Sequence, residues 1–158
     1  MDYEYFTIER LAELPYRELW ELFKELDAPT PEEMNGEYVS RYPVEFEKER
    51  QLWIEANRGG HWFGKSYCTK PVGKYQGQGH NLYEDKKNNR CRRCLRFGWE
   101  IADSSIDGKK SLIMHYNLFT RPTGPKSLTD EIRRVRKGLY VGFYYNTDRV
   151  SPPFKIAS

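Results

Sequence analysis

The chain has 158 residues, 38% apolar and 15% aromatic, enough for one domain with a real core and too aromatic for a disordered segment. Its net charge of +3 conceals a split: residues 1–60 hold 7 basic and 15 acidic side chains, leaving 19 and 8 for residues 61–158. No run approaches the roughly 18 apolar residues of a membrane span, Asp2 and Glu4 stand where a signal peptide would be basic, and an odd count of three cysteines fits reduced thiols in the cytoplasm.

The acidic part reads as helical. Ile8, Leu11 and Leu14 begin an apolar stripe, and Leu19, Leu22, Phe23 and Leu26 continue it at i, i+3, i+4 and i+7. Pro15 between them predicts a kink or the start of a second helix. Thr30 is placed to cap a short turn from Pro31, with Glu32 and Glu33 at its positive end. A strand is expected over Tyr38–Tyr42, and a helix over residues 44–57, with Phe46, Arg50, Trp53, Ile54 and Asn57 near one face and Gly59-Gly60 ending it.

From His61 the texture changes to strands, expected at 61–70, 74–83, 91–102, 110–119, 129–136 and 139–146. Pro71 with Gly73, Lys86–Asn89, Asp107-Gly108, Arg121–Pro125 and Lys137-Gly138 mark the turns between them. Short connections between sequential strands predict an antiparallel meander closed into a barrel, which removes its edges. The expected fold is therefore mainly β (α+β): an up-and-down barrel over 61–150 in a single domain of residues 1–158. A helical segment and first strand over 1–60 would pack on it, and Ser151–Ser158 would trail as an extended tail.

Three stretches resemble the GXWXG/DUF4334-type bacterial proteins. Pro31-Glu32-Glu33-Met34-Asn35-Gly36-Glu37-Tyr38 is similar to the family's opening strand, with Tyr38 at the tryptophan position and Ser40 in place of the second glycine. Trp62-Phe63-Gly64-Lys65-Ser66-Tyr67 resembles its aromatic-Gly-Lys strand, and Asp130–Val135 with Leu139–Gly142 its closing hairpin. The resemblance implies a lipocalin-like (calycin) barrel and transfers no reaction.

The chemistry-bearing motifs are incomplete. Cys91-Arg92-Arg93-Cys94 has metal-knuckle spacing, and Cys68, His61, His80 and His115 are further possible ligands. There is no second CxxC or HxxxH pair, and on a strand the two cysteines face apart, so no metal site is expected. Gly77-Gln78-Gly79 lacks the Gly-Lys-Ser/Thr of a phosphate loop and suits a bent strand instead. No cofactor fingerprint is present.

Strand alternation puts Cys91, Arg93, Leu95, Phe97, Trp99 and Ile101 on one face. Arg93 then either enters the barrel, where it needs an anionic or carbonyl partner, or snorkels at its mouth. Arg133 and Arg134 also face opposite ways, so Arg133 either joins Arg93 inside to receive a carboxylate, phosphate or polyoxygenated ligand, or is neutralised by Glu131, Asp130 or Glu100. Of His115 and Tyr116 only one points inward; an interior histidine would be the best acid or base. His115, Arg93 and Tyr116 are thus the catalytic candidates. Tyr67, Arg93, Phe97, Trp99, Tyr116, Arg133 and Tyr144 are the candidates for lining a ligand site.

Together these features predict a barrel that binds a small, largely hydrophobic or amphipathic molecule in an aromatic cavity. The same wall would also suit a cofactor-independent isomerase or cyclase acting on a polyketide- or terpene-like substrate. The alternative is an interaction protein whose basic run Arg90, Arg92, Arg93 and Arg96 binds nucleic acid or an acidic partner. The sequence specifies neither the occupant nor the oligomeric state.

Overall fold

Pro15 divides the N-terminal apolar stripe into two helices, α1 (Ile8–Glu13) and α2 (Tyr16–Glu25). The Thr7 hydroxyl accepts from Arg10 N and caps α1. Pro15 needs no amide hydrogen at the start of α2 and its fixed φ suits that place. Thr30, by contrast, makes no side-chain cap; its carbonyl accepts from Glu33 N in a single 3-10 turn, Pro31–Glu33. The computed structural model describes residues 3–58, 60–117, 128–146 and 154–157.

The described residues form eight antiparallel strands in one sheet, in sequence order: β1 (Gly36–Val39), β2 (His61–Cys68), β3 (Gly77–Asp85), β4 (Arg90–Asp103), β5 (Lys110–His115), β6 (Leu128–Arg136), β7 (Leu139–Asn146) and β8 (Phe154–Ala157). The meander is as expected, with two differences. The first strand lies earlier than Tyr38–Tyr42, since the chain leaves the ladder at Ser40 and enters α3 (Val44–Arg58) after Pro43. Over residues 154–157 the expected extended tail is a strand whose backbone pairs with β7. The expected loop Arg121–Pro125, the end of the strand expected to 119, and Gly59 lie outside the described residues. Gly108 and Gly138 both have positive φ in their turns, a conformation glycine adopts without steric cost.

The sheet curls into a barrel-like shell. No ladder joins β1 to β8 among the described residues. Side chains reach across instead: the Tyr38 ring of β1 meets Tyr140 of β7 edge-on at 5.5 Å.

Both faces of the wall carry core. Outside, α2 lays Leu19, Leu22 and Phe23 on Val135, Val141 and Phe143 of β6 and β7, and the Phe23 and Phe143 rings meet edge-on at 4.6 Å. Burying each such side chain stabilises by roughly 1.5–3 kcal/mol. Inside, one layer is built around Tyr67, Phe97, Trp99, Met114 and Tyr116. A second layer, Tyr42, Trp62 and Tyr83, lies beneath Ile54 of α3. No described helix is long and apolar enough to cross a membrane.

A bulge in β4 changes which side chains enter. Gly79 pairs with Phe97 but Asn81 with Cys94, so Leu95 and Arg96 of β4 oppose the single residue His80 of β3, and Leu95 sits at φ 48°. The extra residue inverts the alternation. Phe97 and Trp99 point inward, while Arg93 points outward on the face of Arg96. The strict alternation expected over 91–101 therefore fails at its N-terminal half. Gly79 lies where a side chain would strike the Phe97 ring and the Ser66 carbonyl, so the glycine admits an interior aromatic ring.

Candidate functional site

Between the two interior layers lies a cluster of polar side chains. β2 supplies Lys65, β3 Asn81 and β6 Asp130, and Tyr116 follows the end of β5. Lys65 lies inside because a bulge between Trp62 and Gly64 resets the alternation of β2, putting Trp62, Lys65 and Tyr67 among the buried residues.

Lys65 spends all three ammonium hydrogens. Its Nζ lies 2.7 Å from Asp130 Oδ2, 2.8 Å from Asn81 Oδ1 and 2.7 Å from the Tyr116 hydroxyl. Tyr116 donates to Asp130 Oδ2 at 2.8 Å and also accepts from Asn81 Nδ2 at 3.2 Å. Asn81 donates its second amide hydrogen to the Leu95 carbonyl and accepts from Trp62 Nε1 at 3.0 Å. One atom stands apart: Asp130 Oδ1 is buried with no hydrogen-bond partner.

The electrostatics follow from burial. Lys65 and Asp130 are each about 2% exposed. Desolvation pushes the Lys65 pKa down, and the neighbouring Asp130 opposes that shift. Lys65 also lies over the Phe97 and Tyr116 rings, at 5.3 and 5.4 Å from their centroids, where the negative ring faces favour a cation. The Tyr116 and Tyr67 hydroxyls are held well above their ordinary pKa, first by burial and then by Asp130. Burial raises Tyr144 to about 12, with Asp130 adding to the effect and Arg50 opposing it. Burial chiefly, with Tyr144 and Asp130 adding to it, also raises Tyr42.

The sequence-predicted residues divide sharply. Tyr67, Phe97, Trp99 and Tyr116 lie in one interior cluster, and Tyr144 packs against the second layer. Tyr116, and not His115, is the inward member of its pair. His115 stacks on Tyr75 at 4.9 Å on the outer wall, with Nε2 3.0 Å from Glu100 Oε1, although that approach lacks hydrogen-bond geometry.

Arg93 does not enter the barrel. It is 61% exposed and pairs with Glu37, because the β4 bulge turned it outward. Arg96 on the same face holds Gln78, and the two guanidiniums depress His80 after desolvation does. Arg133 does not line the interior either, since on β6 it alternates with Asp130 and Ile132. It is wholly buried between the sheet and α2, with both arms of its guanidinium on Asp107 at 2.7 and 2.6 Å. It also donates to Ser111 Oγ and the Phe23 carbonyl. The Arg93–Arg133 anion cradle is therefore absent: one arginine is outside the wall in solvent and the other outside it under a helix.

Cys68 and Cys91 are exposed free thiols and Cys94 is half-buried. No group of three metal-ligating side chains occurs among the described residues.

Lys65, Asn81 and Asp130 were missed as site residues. Their signal was a polar residue two places from an interior aromatic or aliphatic one: Lys65 before Tyr67, Asn81 before Tyr83, Asp130 before Ile132.

The sequence matches no family model and no curated protein. Its fold is similar to a solved crystal structure of a protein from Thermomonospora curvata, with a TM-score of 0.63 at 17% identity over 95% of each chain. At that identity the likeness concerns the fold alone, and it supports a barrel-like β architecture.

Proposed function

We propose that the protein binds a small, largely hydrophobic molecule inside its barrel, at the end covered by α3, with the molecule's polar end against Lys65, Asp130 and Tyr116. The observation that carries this reading is the unpartnered Asp130 Oδ1 within an otherwise fully bonded cluster. A desolvated, unbonded carboxylate oxygen costs about 1–3 kcal/mol or more, and a hydrogen donated by a bound molecule would offset that cost at the one such atom of the interior cluster.

The covering helix suits access. Among the described side chains of α3 only Ile54 is buried, while Leu52 and Trp53 are more than half exposed. Its polar ties include the contacts of Gln51 and Glu55 with His61, the Tyr16 N–H donating to Glu45, and Arg50 over the Tyr144 ring. Lifting α3 exposes the Tyr42–Trp62–Tyr83 layer at little cost in buried area.

A lipocalin-like barrel of the GXWXG/DUF4334 type is the framework of this proposal, and cofactor-free isomerisation or cyclisation is its catalytic extension. In that extension the proton-handling groups are Tyr116 and Lys65, because His115 and Arg93 lie outside the wall. Native mass spectrometry and tryptophan-fluorescence titration with a library of lipophilic compounds test the binding. A saturable ligand that quenches Trp62 is expected; bare protein across the library, with no titratable change, overturns the proposal.

A further inference from the structure

We infer that the bound molecule presents a neutral hydroxyl to Asp130 Oδ1, and is neither an anion nor a cation. The inference rests on the interior-binding reading above and names the chemical class of its ligand. It follows from counting donors and acceptors in the cluster. Lys65, Tyr116 and the Asn81 amide have every hydrogen engaged. No donor is left there for a carboxylate or phosphate, and Asp130 repels one.

The open position is a carboxylate oxygen, which only accepts. Its partner must therefore bring a hydrogen. A cationic partner is disfavoured on two counts. The Asp130 charge is already matched by Lys65 at 2.7 Å, and Arg50 of α3 stands over the Tyr144 ring at 5.5 Å, adding a like charge to the same end. An uncharged alcohol or phenol supplies the hydrogen without a second buried charge. Its apolar body finds aromatic walls in Tyr42, Trp62, Tyr83 and Tyr144. This departs from the one sequence alternative in which Arg93 and Arg133 together would receive a carboxylate or phosphate.

Four probes of one shape test it on the intact protein: 2-naphthol, 2-methoxynaphthalene, 2-naphthoate and 2-naphthylmethylammonium, titrated at pH 7 by tryptophan fluorescence and ligand-observed NMR. Phenols titrate near 10 and so stay neutral there. We expect 2-naphthol to bind at least about tenfold more tightly than the methoxy compound, which lacks the hydrogen, and than either ion. In Lys65→Met/Asp130→Leu, which removes both charges together, the preference for 2-naphthol should fall below about threefold. If that variant fails to fold, Lys65→Met/Asp130→Asn, with a weaker neutral acceptor, should shrink the preference in the same direction.

Tightest binding by the naphthoate or the ammonium, or equal binding by all four, overturns the hydroxyl assignment and leaves interior binding standing. An undiminished preference in a folded variant overturns the role of Asp130. Failure of all four to bind at about 1 mM, together with a blank lipophilic library, overturns the interior-binding reading as well.

Discussion

Lys65 Nζ lies 2.7 Å from Asp130 Oδ2 inside the barrel, with each side chain only 3% exposed. The pair joins β2 to β6 through the interior. Removing one partner strands the other as an uncompensated buried charge, whereas removing both leaves a site that apolar side chains can fill. Lys65→Met should therefore destabilise by about 3–5 kcal/mol, and Lys65→Met/Asp130→Leu by clearly less than the two single variants summed. Urea unfolding of all four proteins measures this; additive losses would mean that the pair is not coupled.

The outer counterpart is Arg133 with Asp107. The guanidinium pulls the Asp107 carboxyl below its ordinary value of 3.8, chiefly by hydrogen bonding. A carboxyl with a depressed folded-state pKa contributes stability that is complete above its unfolded pKa. That contribution is lost as pH falls through the folded value. The protein should thus lose stability below about pH 4, and Asp107→Asn should flatten that part of the profile while lowering stability near neutrality. Thermal unfolding from pH 7 down to pH 2 checks both; an unchanged acid limb in the variant would rule the pair out as its cause.

Arg93 and His115 lie on the outer wall, one on Glu37 and the other stacked on Tyr75. Arg93→Ala and His115→Ala are expected to leave binding of an interior ligand within about twofold of wild type, since exposed pairs couple weakly to a buried site. Tyr116→Phe removes a hydroxyl that ties Lys65, Asn81 and Asp130 together by three hydrogen bonds, and by loosening Asp130 it should weaken that binding by tenfold or more. The same titration reads all three variants. A large loss in the first two would return them to the site.

Gly79→Ala puts a methyl 2.5 Å from Phe97 Cζ and closer still to the Ser66 carbonyl. Backbone cannot yield as a flexible side-chain end does, so the cost should be about 1–3 kcal/mol or more. Gly108→Ala meets no neighbour within 4 Å but keeps a positive φ of 76°, and its cost of about 1 kcal/mol should come from backbone strain alone. Equal Tm shifts with unchanged interior aromatic NMR signals in both would remove the packing role given to Gly79.

The sequence by itself determined the elements. Apolar residues at helical spacing and the break at Pro15 are local signals, and so are the Gly-bearing turns at Gly108 and Gly138; each acts within a few residues. The same local reading located an aromatic interior through Phe97 and Trp99, whose strand runs unbroken on their side of the bulge. Which way Arg93 faces was not legible, because one extra residue in β4 reverses every side chain beyond it, and the register that creates it belongs to the pairing with β3. Arg133 alternated as expected, but only the placement of α2 on the outer wall decided that its buried face lay outside the barrel. The charge split between the acidic N-terminal part and the basic strands is spent partly in such contacts, as with Glu37 on Arg93 and Glu33 near Arg134. Lys65 and Asp130 stand 65 residues apart and carry no motif. Tertiary structure alone brought them together, since a buried charge is tolerable only where the fold supplies its partner.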